Sequence, residues 1–424
     1  MAGEWPPSWK RARLGEVADV NWGDTSVTKA SYVDSGSLAF SASGPDGFLP
    51  YADFDRVGVV VSAIGADCGK TWLAKGKWSC IKNTLRFWAT SPDVDSAFLY
   101  WLTIDPAIWP KRGSAQPFIS QGDARLLEIA YPPLLEQRAI AHILGTLDDK
   151  IELNRRMNET LEQVARALFK SWFVDFDPVR AKAEGRDPGL PSEITDLFPD
   201  SFEESELGEI PKEWDVVQLR ELTDTVKGRS YKSEELVDSD TALVTLKSFA
   251  RGGGYRPDGL KPFTGTYKPE QVVEPGELVI ACTDVTQAAE VIGRPAVVRG
   301  TAGYRTLVAS LDTMVVRPRH PSMTRAFLYF LGRTDAFVAH TYAHTTGTTV
   351  LHLAKEAVPS FKFALPKAQL VEAFDSIASR ALNRIQATEE ESGTLAALRD
   401  ALLPKLISGE LRVKNPGDFI ETRS

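Results

Sequence analysis

The chain contains few of the residues that bind metals or form disulfides. Its 424 residues include three cysteines, without a Cys-x-x-Cys pair, and five histidines. This scarcity argues against a structural metal site and a disulfide framework, and it favours a reducing compartment. The sequence has no run of eighteen apolar residues and no apolar N-terminal stretch typical of a signal peptide. We therefore expect a cytoplasmic protein with no membrane partner and no bound metal.

Catalytic motifs are also missing. The nearest match to a phosphate-binding loop is GADCGKT at residues 65–71, in which three residues separate the glycines where a Walker loop has four. Neither an Asn-Pro-Pro-Tyr motif for an extruded adenine nor a Pro-Asp…(Asp/Glu)-x-Lys nuclease pattern occurs. We predict no catalytic residue, although this basic, glycine-rich turn suits contact with a DNA phosphate or a base edge.

Two long segments, residues 131–174 and 365–413, have the apolar periodicity of extended helices. In each, apolar residues recur alternately at four and three residues, which predicts a coiled-coil seam that turns polar in its middle. Buried polar residues weaken such a seam but fix its register. Taken singly, either segment is also compatible with an ordinary core helix. The predicted seam residues are Ile140, Leu144, Leu147, Ile151, Asn154, Asn158, Leu161 and Leu168 in the first helix, and Phe374, Ile377, Ala381, Thr388, Ser392, Leu395 and Leu402 in the second.

The chain contains an internal duplication. Trp9 and Leu14 recur 205 residues later as Trp214 and Leu219, the sequence AFLYWL recurs as AFLYFL, and the polar seam residues of the two helices lie 234 residues apart. Short apolar runs separated by Gly and Pro predict strands between these landmarks. The fold class is therefore α+β, with two similar mixed α/β domains and two long helices. The predicted limits are 1–130 for the first domain, 131–174 for the first helix, 175–210 for a linker, 211–364 for the second domain, 365–413 for the second helix and 414–424 for a tail.

Basic charge is concentrated in two windows, although the whole chain carries a net charge of −8. Residues 56–92 have a net charge of +5 and residues 226–333 of +4. Two local basic regions suit a protein that meets nucleic-acid phosphates at two places, and solvated surfaces of ordinary domains are the alternative. The predicted DNA-binding residues are Lys70, Thr71, Lys75, Lys77, Lys82, Asn83 and Arg86 in the first domain, and Lys227, Arg229, Lys247, Arg251, Arg256, Arg294, Arg299 and Arg305 in the second.

The segment PPLLEQRAIAHILGTLDDKIELNRRMNETLEQVARALFKSWF, the duplication and ESGTLAALRDALLPKLISGELRV near the end resemble the specificity subunit of type I restriction-modification systems. The resemblance implies two target-recognition domains, pseudo-twofold related and held apart by two antiparallel helices, which read a bipartite, asymmetric target in double-stranded DNA. It also implies a non-catalytic chain that binds two modification subunits and restriction subunits. S-adenosylmethionine, ATP and Mg are then expected on those partners and no cofactor on this chain.

Two other classes of protein stay open at this point. A non-catalytic coiled-coil scaffold without DNA specificity would share the long helices but would not explain the two basic, strand-rich domains. A single-chain modification and restriction enzyme would need the motifs that the sequence lacks. Salt-dependent binding to mixed duplex DNA distinguishes the specificity subunit from the scaffold.

Overall fold

The computed structural model describes residues 5–285 and 288–419. The chain forms two compact units: unit 1 comprises residues 1–153 and 392–424, and unit 2 comprises residues 154–391. The first four residues of the predicted first domain and residues 420–424 of the predicted tail lie outside the described part. The functional domain limits stated from the sequence stay a prediction.

Unit 1 is built from short strands and helices that precede the first long helix. They are β1 (Lys10–Arg13), α1 (Leu14–Val17), β2 (Ala18–Trp22), β3 (Ser37–Ser41), β4 (Gly44–Leu49), β5 (Phe54–Asp55), β6 (Gly58–Ser62), β7 (Thr71–Ala74), β8 (Lys77–Cys80), β9 (Thr84–Ala89), α2 (Ser96–Leu102), α3 (Gln121–Arg125) and β10 (Glu128–Tyr131). The first long helix, α4, spans Leu134–Phe173 and passes from unit 1 into unit 2. Three sheets have the strand orders β2-β9-β6-β7, β4-β3-β8-β5 and β1-β10.

Unit 2 contains the remaining elements. They are α5 (Asp177–Ala183), α6 (Ser192–Thr195), β11 (Phe202–Ser205), β12 (Gly208–Pro211), β13 (Asp215–Gln218), α7 (Leu219–Leu222), β14 (Thr223–Lys227), β15 (Thr241–Val244), β16 (Lys261–Pro262), β17 (Val272–Val273), β18 (Leu278–Ala281), β19 (Thr283–Asp284), β20 (Pro295–Val297), β21 (Thr306–Ala309), β22 (Thr313–Pro318), α8 (Arg325–Gly332), α9 (Asp335–Ala343), β23 (Thr345–Thr346), β24 (Leu351–Leu353), β25 (Lys362–Leu365) and α10 (Ala368–Ser408). The second long helix, α10, ends in unit 1.

The two units share one strand topology. The orders β14-β22-β18-β20, β16-β15-β21-β17 and β13-β25 in unit 2 repeat the three orders of unit 1. The likeness extends to strand direction, because β3 and β8 are parallel, as are β15 and β21, whereas the other pairs within these sheets are antiparallel. The predicted α+β class with an internal repeat is therefore confirmed. Unit 2 has two further small sheets, β19-β24-β23 and β11-β12.

The two long helices run antiparallel, and this is visible inside each unit. In unit 1, Arg399 of α10 forms an ion pair with Asp148 of α4 at 2.5 Å. In unit 2, Asn154 of α4 donates a hydrogen bond to Glu391 of α10 at 2.9 Å. Also in unit 2, the ring of Phe169 on α4 lies 5.3 Å from that of Phe374 on α10, so residue numbers rise along one helix as they fall along the other. Both helices follow prolines, which fix an extended entry and then a helical first turn.

Each core joins its sheets to the local halves of the long helices. In unit 1, Trp101 of α2 is buried in one cluster with Leu144 of α4 and Leu406 of α10. In unit 2, the ring of Phe169 lies 5.1 Å from that of Phe327 and 5.3 Å from that of Phe374. Full burial of such side chains stabilises each by roughly 1.5–3 kcal/mol. The helices therefore belong to the cores of the units.

The seam agrees with the sequence pattern except in one turn of α10. Ile377 is 38% exposed, whereas the neighbouring Ala378 is fully buried. The buried residues of this part of α10 are Leu370, Phe374 and Ala378, which lie four residues apart. The prediction of Ile377, three residues after Phe374, as a seam residue was wrong. An α-helix has 3.6 residues per turn, and a strict heptad drifts away from its buried face.

The segment predicted as a linker is more ordered than its composition indicated. Residues 175–210 include two short helices and most of a hairpin, and Val179 and Phe198 are buried in the core of unit 2. The ring of Phe198 meets that of Trp172 edge-on at 5.3 Å. The apolar residues of segment 175–210 are separated by Pro and Gly, so the sequence shows no helical or strand periodicity there.

Candidate nucleic-acid interface

The turn between β8 and β9 places two predicted contact residues at the tip of unit 1. Lys82 and Asn83 are exposed there, and Asn83 has a left-handed φ of 70°. The turn is fixed by Asp24, whose N–H donates to the carbonyl of Cys80 at 2.8 Å. A Cβ on the adjoining Gly23 would lie 2.5 Å from the carbonyl oxygen of Ile81, so only glycine fits this approach. The tip therefore presents an amide and an ammonium from a rigid base.

Three other predicted lysines are exposed around unit 1, with different environments. Lys70 lies 2.5 Å from the carboxylate of Asp67, and Lys75 lies 3.2 Å from that of Asp149 on α4. Lys77, at the start of β8, is also exposed. Exposed ion pairs of this kind contribute about 0–1 kcal/mol, so a phosphate can compete for these lysines.

Two predicted contacts in unit 1 instead belong to the fold. The Thr71 hydroxyl is buried and donates to the carbonyl oxygens of Gly69 and Thr103. The Arg86 side chain is only 13% exposed and lies 2.6 Å from the carboxylate of Asp19. Its guanidinium also stacks at 4.1 Å over the ring of Trp88. These contacts occupy both side chains within the unit, which the sequence could not indicate.

The predicted residues of unit 2 divide in the same way. Exposed on its surface are Lys227, Lys247, Arg251, Arg256 and Arg305. Of these, Arg256 pairs with Asp258 at 2.5 Å, and Arg251 pairs with Glu290 at 3.3 Å.

The other three arginines are partly or largely buried. Arg229 pairs with Glu235 and lies over the ring of Phe263. Burial and the charges of Arg333 and Arg166 lower the pKa of Arg294.

Arg299 is the clearest case of a structural arginine. Its side chain is 9% exposed and lies 3.0 Å from Glu389 on α10 and 3.7 Å from Glu162 on α4. Glu162 also accepts a hydrogen bond of 2.6 Å from the Tyr329 hydroxyl and lies 3.4 Å from Arg333. Burial raises the pKa of Glu389, and the charge of Arg299 opposes that rise. We conclude that Arg299 fastens the strand region of unit 2 to both long helices.

The middle of the helical seam is polar, as predicted. Asn154 and Thr388 are almost completely buried, and the Thr388 hydroxyl donates to the side-chain oxygen of Asn158. Ile140, Leu144 and Phe374 are fully buried. The half-buried seam residues are Leu147, Ile151, Asn158, Leu161, Leu168, Ala381, Ser392, Leu395 and Leu402. Such a polar centre constrains the register of the two helices.

Sequence reasoning missed basic residues beyond the two charged windows. Lys111 follows α2 in unit 1, and Lys355 follows β24 in unit 2; both are exposed. Each adjoins a short hairpin with a glycine at its turn, and Gly113 and Gly347 in these hairpins lie 234 residues apart. That offset, already evident in the helices, could have found the hairpins, but Lys111 and Lys355 do not occupy equivalent positions and carry no such signal.

The described residues include neither a metal cluster nor a membrane span. Within 5–285 and 288–419, no group of three or more His, Cys, Asp and Glu side chains is arranged to hold a metal ion. No helix in the same part of the chain is long and apolar enough to cross a membrane.

Known proteins that are similar to this chain carry one family description. Residues 6–163, which include the first repeat and most of α4, match the family model described as the type I restriction modification DNA specificity domain. The chain is therefore similar to the specificity subunits of type I restriction-modification systems. The resemblance noted in the sequence is therefore confirmed.

Two curated proteins that are similar to this chain carry names of the same family. The type I restriction enzyme HindI specificity subunit of Haemophilus influenzae is 24% identical over 71% of this chain and 72% of its own length. The MjaIX specificity subunit of Methanocaldococcus jannaschii is 26% identical over 71% of this chain and 65% of its own length. The crystal structure of the type I S subunit from M. genitalium has the same fold, with a TM-score of 0.59 and 15% identity over 96% of this chain and 97% of that chain.

Proposed function

We propose that this chain is a specificity subunit that reads a bipartite, asymmetric DNA target and directs partner adenine methyltransferase and restriction subunits to it. One observation carries the proposal: the two units repeat one strand topology but present different side chains at corresponding tips. The β8–β9 turn of unit 1 exposes Lys82 and Asn83, whereas the β21–β22 turn of unit 2 contains Leu311 and Asp312. Two domains of one construction with different exposed residues suit two half-sites of different sequence.

The chemistry of the exposed residues supports DNA reading. Lysine and arginine neutralise phosphates and position a protein on the duplex, whereas asparagine and arginine can bind base edges in the major groove. Lys82 and Asn83 provide both kinds of contact in unit 1, and Lys227, Arg251 and Arg305 provide exposed cations in unit 2. We infer that each unit uses phosphate contacts for position and a smaller set of base contacts for sequence.

Helices α4 and α10 suit the role of a spacer. They contain 40 and 41 residues, and a helix of that size is roughly 60 Å long. Their buried polar centre fixes one register between them. We propose that this fixed length sets the number of unspecified base pairs between the two half-sites.

Methyl transfer and DNA cleavage are assigned to partner subunits in this proposal. The specificity-subunit family is non-catalytic in general. We propose a cytoplasmic assembly with two modification subunits and with restriction subunits, in which the partners hold S-adenosylmethionine, ATP and Mg. A target adenine in each half-site would be flipped from the duplex by a modification subunit.

The decisive experiment is to co-express this chain with the adenine methyltransferase encoded beside it and to map N6-methyladenine across the host genome. We expect methylation at one split, asymmetric motif that disappears when the specificity subunit is omitted. Co-purification of the two proteins without any methylated motif would contradict the reading function. Failure of both co-purification and methylation would favour a scaffold protein without DNA specificity.

A further inference from the structure

Each unit carries a small exposed hairpin whose construction is the same. In unit 1, residues 112–118 form a hairpin in which Arg112 pairs with Phe118. In unit 2, residues 346–352 form one in which Thr346 pairs with His352. The paired positions correspond at an offset of 234 residues, which is also the offset between the polar centres of α4 and α10. The hairpins are therefore copies of one element.

Both hairpins require glycine at the same position in the turn. Gly113 has φ of 78° and Gly347 has φ of 102°, in the left-handed region that side chains disfavour. A Cβ on Gly113 would lie 2.8 Å from the carbonyl oxygen of Gln116, and a Cβ on Gly347 would lie 2.1 Å from that of Val350. The two turns thus place their backbone in the same way, although the residue three positions after the glycine differs in chemistry.

The hairpins are anchored at corresponding places. In unit 1, the N–H of Ile119 donates to the carbonyl of Ala63 at 2.8 Å. In unit 2, the N–H of Leu353 donates to the carbonyl of Cys282 at 2.9 Å, again 234 residues later on the donor side. Each hairpin therefore lies against the loop that follows the central strand β6 or β18. In unit 1 this loop is the glycine-rich turn at residues 65–71, in which Lys70 pairs with Asp67 at 2.5 Å.

The hairpins present donors to solvent and carry no acid. Residues 110–119 and 345–354 contain no Asp or Glu, and Thr348, Thr349 and Ser114 at the tips are exposed. Hydroxyl and backbone N–H groups bind phosphate oxygens and carry no sequence information by themselves.

Lysines adjoin both hairpins. The Lys111 side chain packs against Gly69: a Cβ built on this glycine would lie 3.2 Å from the Lys111 Nζ. Lys70 is the next residue in the turn at residues 65–71. In unit 2, Lys355 is exposed just beyond β24. Burial raises the pKa of Cys282 to about 12, and the charge of the nearby Lys227 opposes that rise. A lysine therefore lies near each hairpin anchor, together with a carboxylate: Asp67, which pairs with Lys70 in unit 1, and Asp312, whose charge adds to the raised pKa of Cys282 in unit 2.

We propose that the two hairpins are matched clamps for the DNA phosphate backbone, one in each unit. The inference rests on the proposed DNA-reading function and assigns these hairpins the contacts that do not depend on sequence. The same turn occurs in two domains that are proposed to read different sequences, so its ligand should be one that both half-sites share. The phosphate backbone is common to both half-sites. Base reading is left to residues that differ between the units, such as Asn83.

The test uses the assembled complex of this chain with its modification subunit. Ser114→Glu and Thr348→Glu each place a negative charge at one tip, and Thr90→Glu places it on an exposed loop at the opposite end of β9 from Asn83. Fluorescence anisotropy with the cognate duplex and with a scrambled duplex would be measured over a range of salt concentrations. We expect each tip variant to weaken binding to both duplexes by the same factor, about tenfold at low salt, with no effect of Thr90→Glu.

A second variant measures the lysine contribution directly. Lys111→Ala is expected to lower the slope of log affinity against log salt by about 0.9, the value for one phosphate contact, without changing the preferred sequence. Loss of cognate affinity alone would overturn the proposal in favour of base reading. Loss of co-purification with the modification subunit would assign the hairpins to the protein partner, and unchanged binding would exclude any contact. Failure of the parent complex to prefer its cognate duplex would instead refute the proposed function.

Discussion

Replacing Arg299 with alanine should destabilise unit 2 instead of weakening DNA contact. The guanidinium lies between Glu389 at 3.0 Å and Glu162 at 3.7 Å, and its loss leaves two carboxylates facing each other. Removing one partner of a buried ion pair costs about 3–5 kcal/mol. The Glu389 side chain is 42% exposed, so solvent screens part of that repulsion, and we expect about 2–3 kcal/mol.

The assay is thermal unfolding followed by circular dichroism, with Arg305→Ala as the control. A loss of this size in a unit of 238 residues lowers its Tm by about 5–10 °C, whereas the exposed Arg305 should change stability by less than about 0.5 kcal/mol. The two units can unfold separately, so the transition of unit 2 is the one to follow.

The loss of stability caused by Arg299→Ala should also depend on pH. Burial raises the pKa of Glu389. A carboxyl with a raised folded-state pKa costs stability above that pKa, and the cost disappears as the pH falls and the group binds a proton. Without the opposing charge of Arg299 the pKa of Glu389 rises further, so the loss of stability in Arg299→Ala should be largest near neutral pH and should shrink in acid. An Arg299→Ala protein with the parent Tm but weakened DNA binding would refute the structural role and restore the contact predicted from the sequence.

Three further predictions concern the proposed DNA contacts and two glycines. Arg251→Ala should relax recognition of one half-site and Lys82→Ala should weaken binding through the other unit, as measured by methylation mapping; equal loss at both half-sites would contradict separate readers. Gly228→Ala should destabilise unit 2 by roughly 2 kcal/mol or more, because its Cβ would lie 2.1 Å from the carbonyl oxygen of Ser310, and an unchanged Tm would contradict that close packing. Gly145→Ala should stabilise α4 by up to about 1 kcal/mol in denaturant unfolding, since nothing lies within 4 Å of the added methyl group; destabilisation would show a hidden clash.

The predicted DNA-binding residues show how far local sequence can be trusted. Net charge located both basic windows, and it placed Lys82 and Arg251 correctly on exposed surfaces. The same windows contain Arg86 and Arg299, which are largely buried in ion pairs. The carboxylate partner of Arg86 is 67 residues away and that of Arg299 is 90 residues away. The net charge of a sequence segment cannot distinguish an exposed arginine that can bind a phosphate from an arginine paired with a carboxylate far away in the chain.

The sequence by itself determined the duplication, the two long helices, their polar centre and the resemblance to type I specificity subunits. These features depend on local periodicity and on residues that recur at a fixed offset, such as Trp9 and Trp214, which a single chain displays directly. Only the tertiary structure decided which cations face solvent and that Ala378, not Ile377, is the buried seam residue. It also decided that the two glycine hairpins are copies anchored at equivalent carbonyls. Those outcomes depend on contacts between residues distant in the chain, whose geometry is fixed only when the strands and helices pack together.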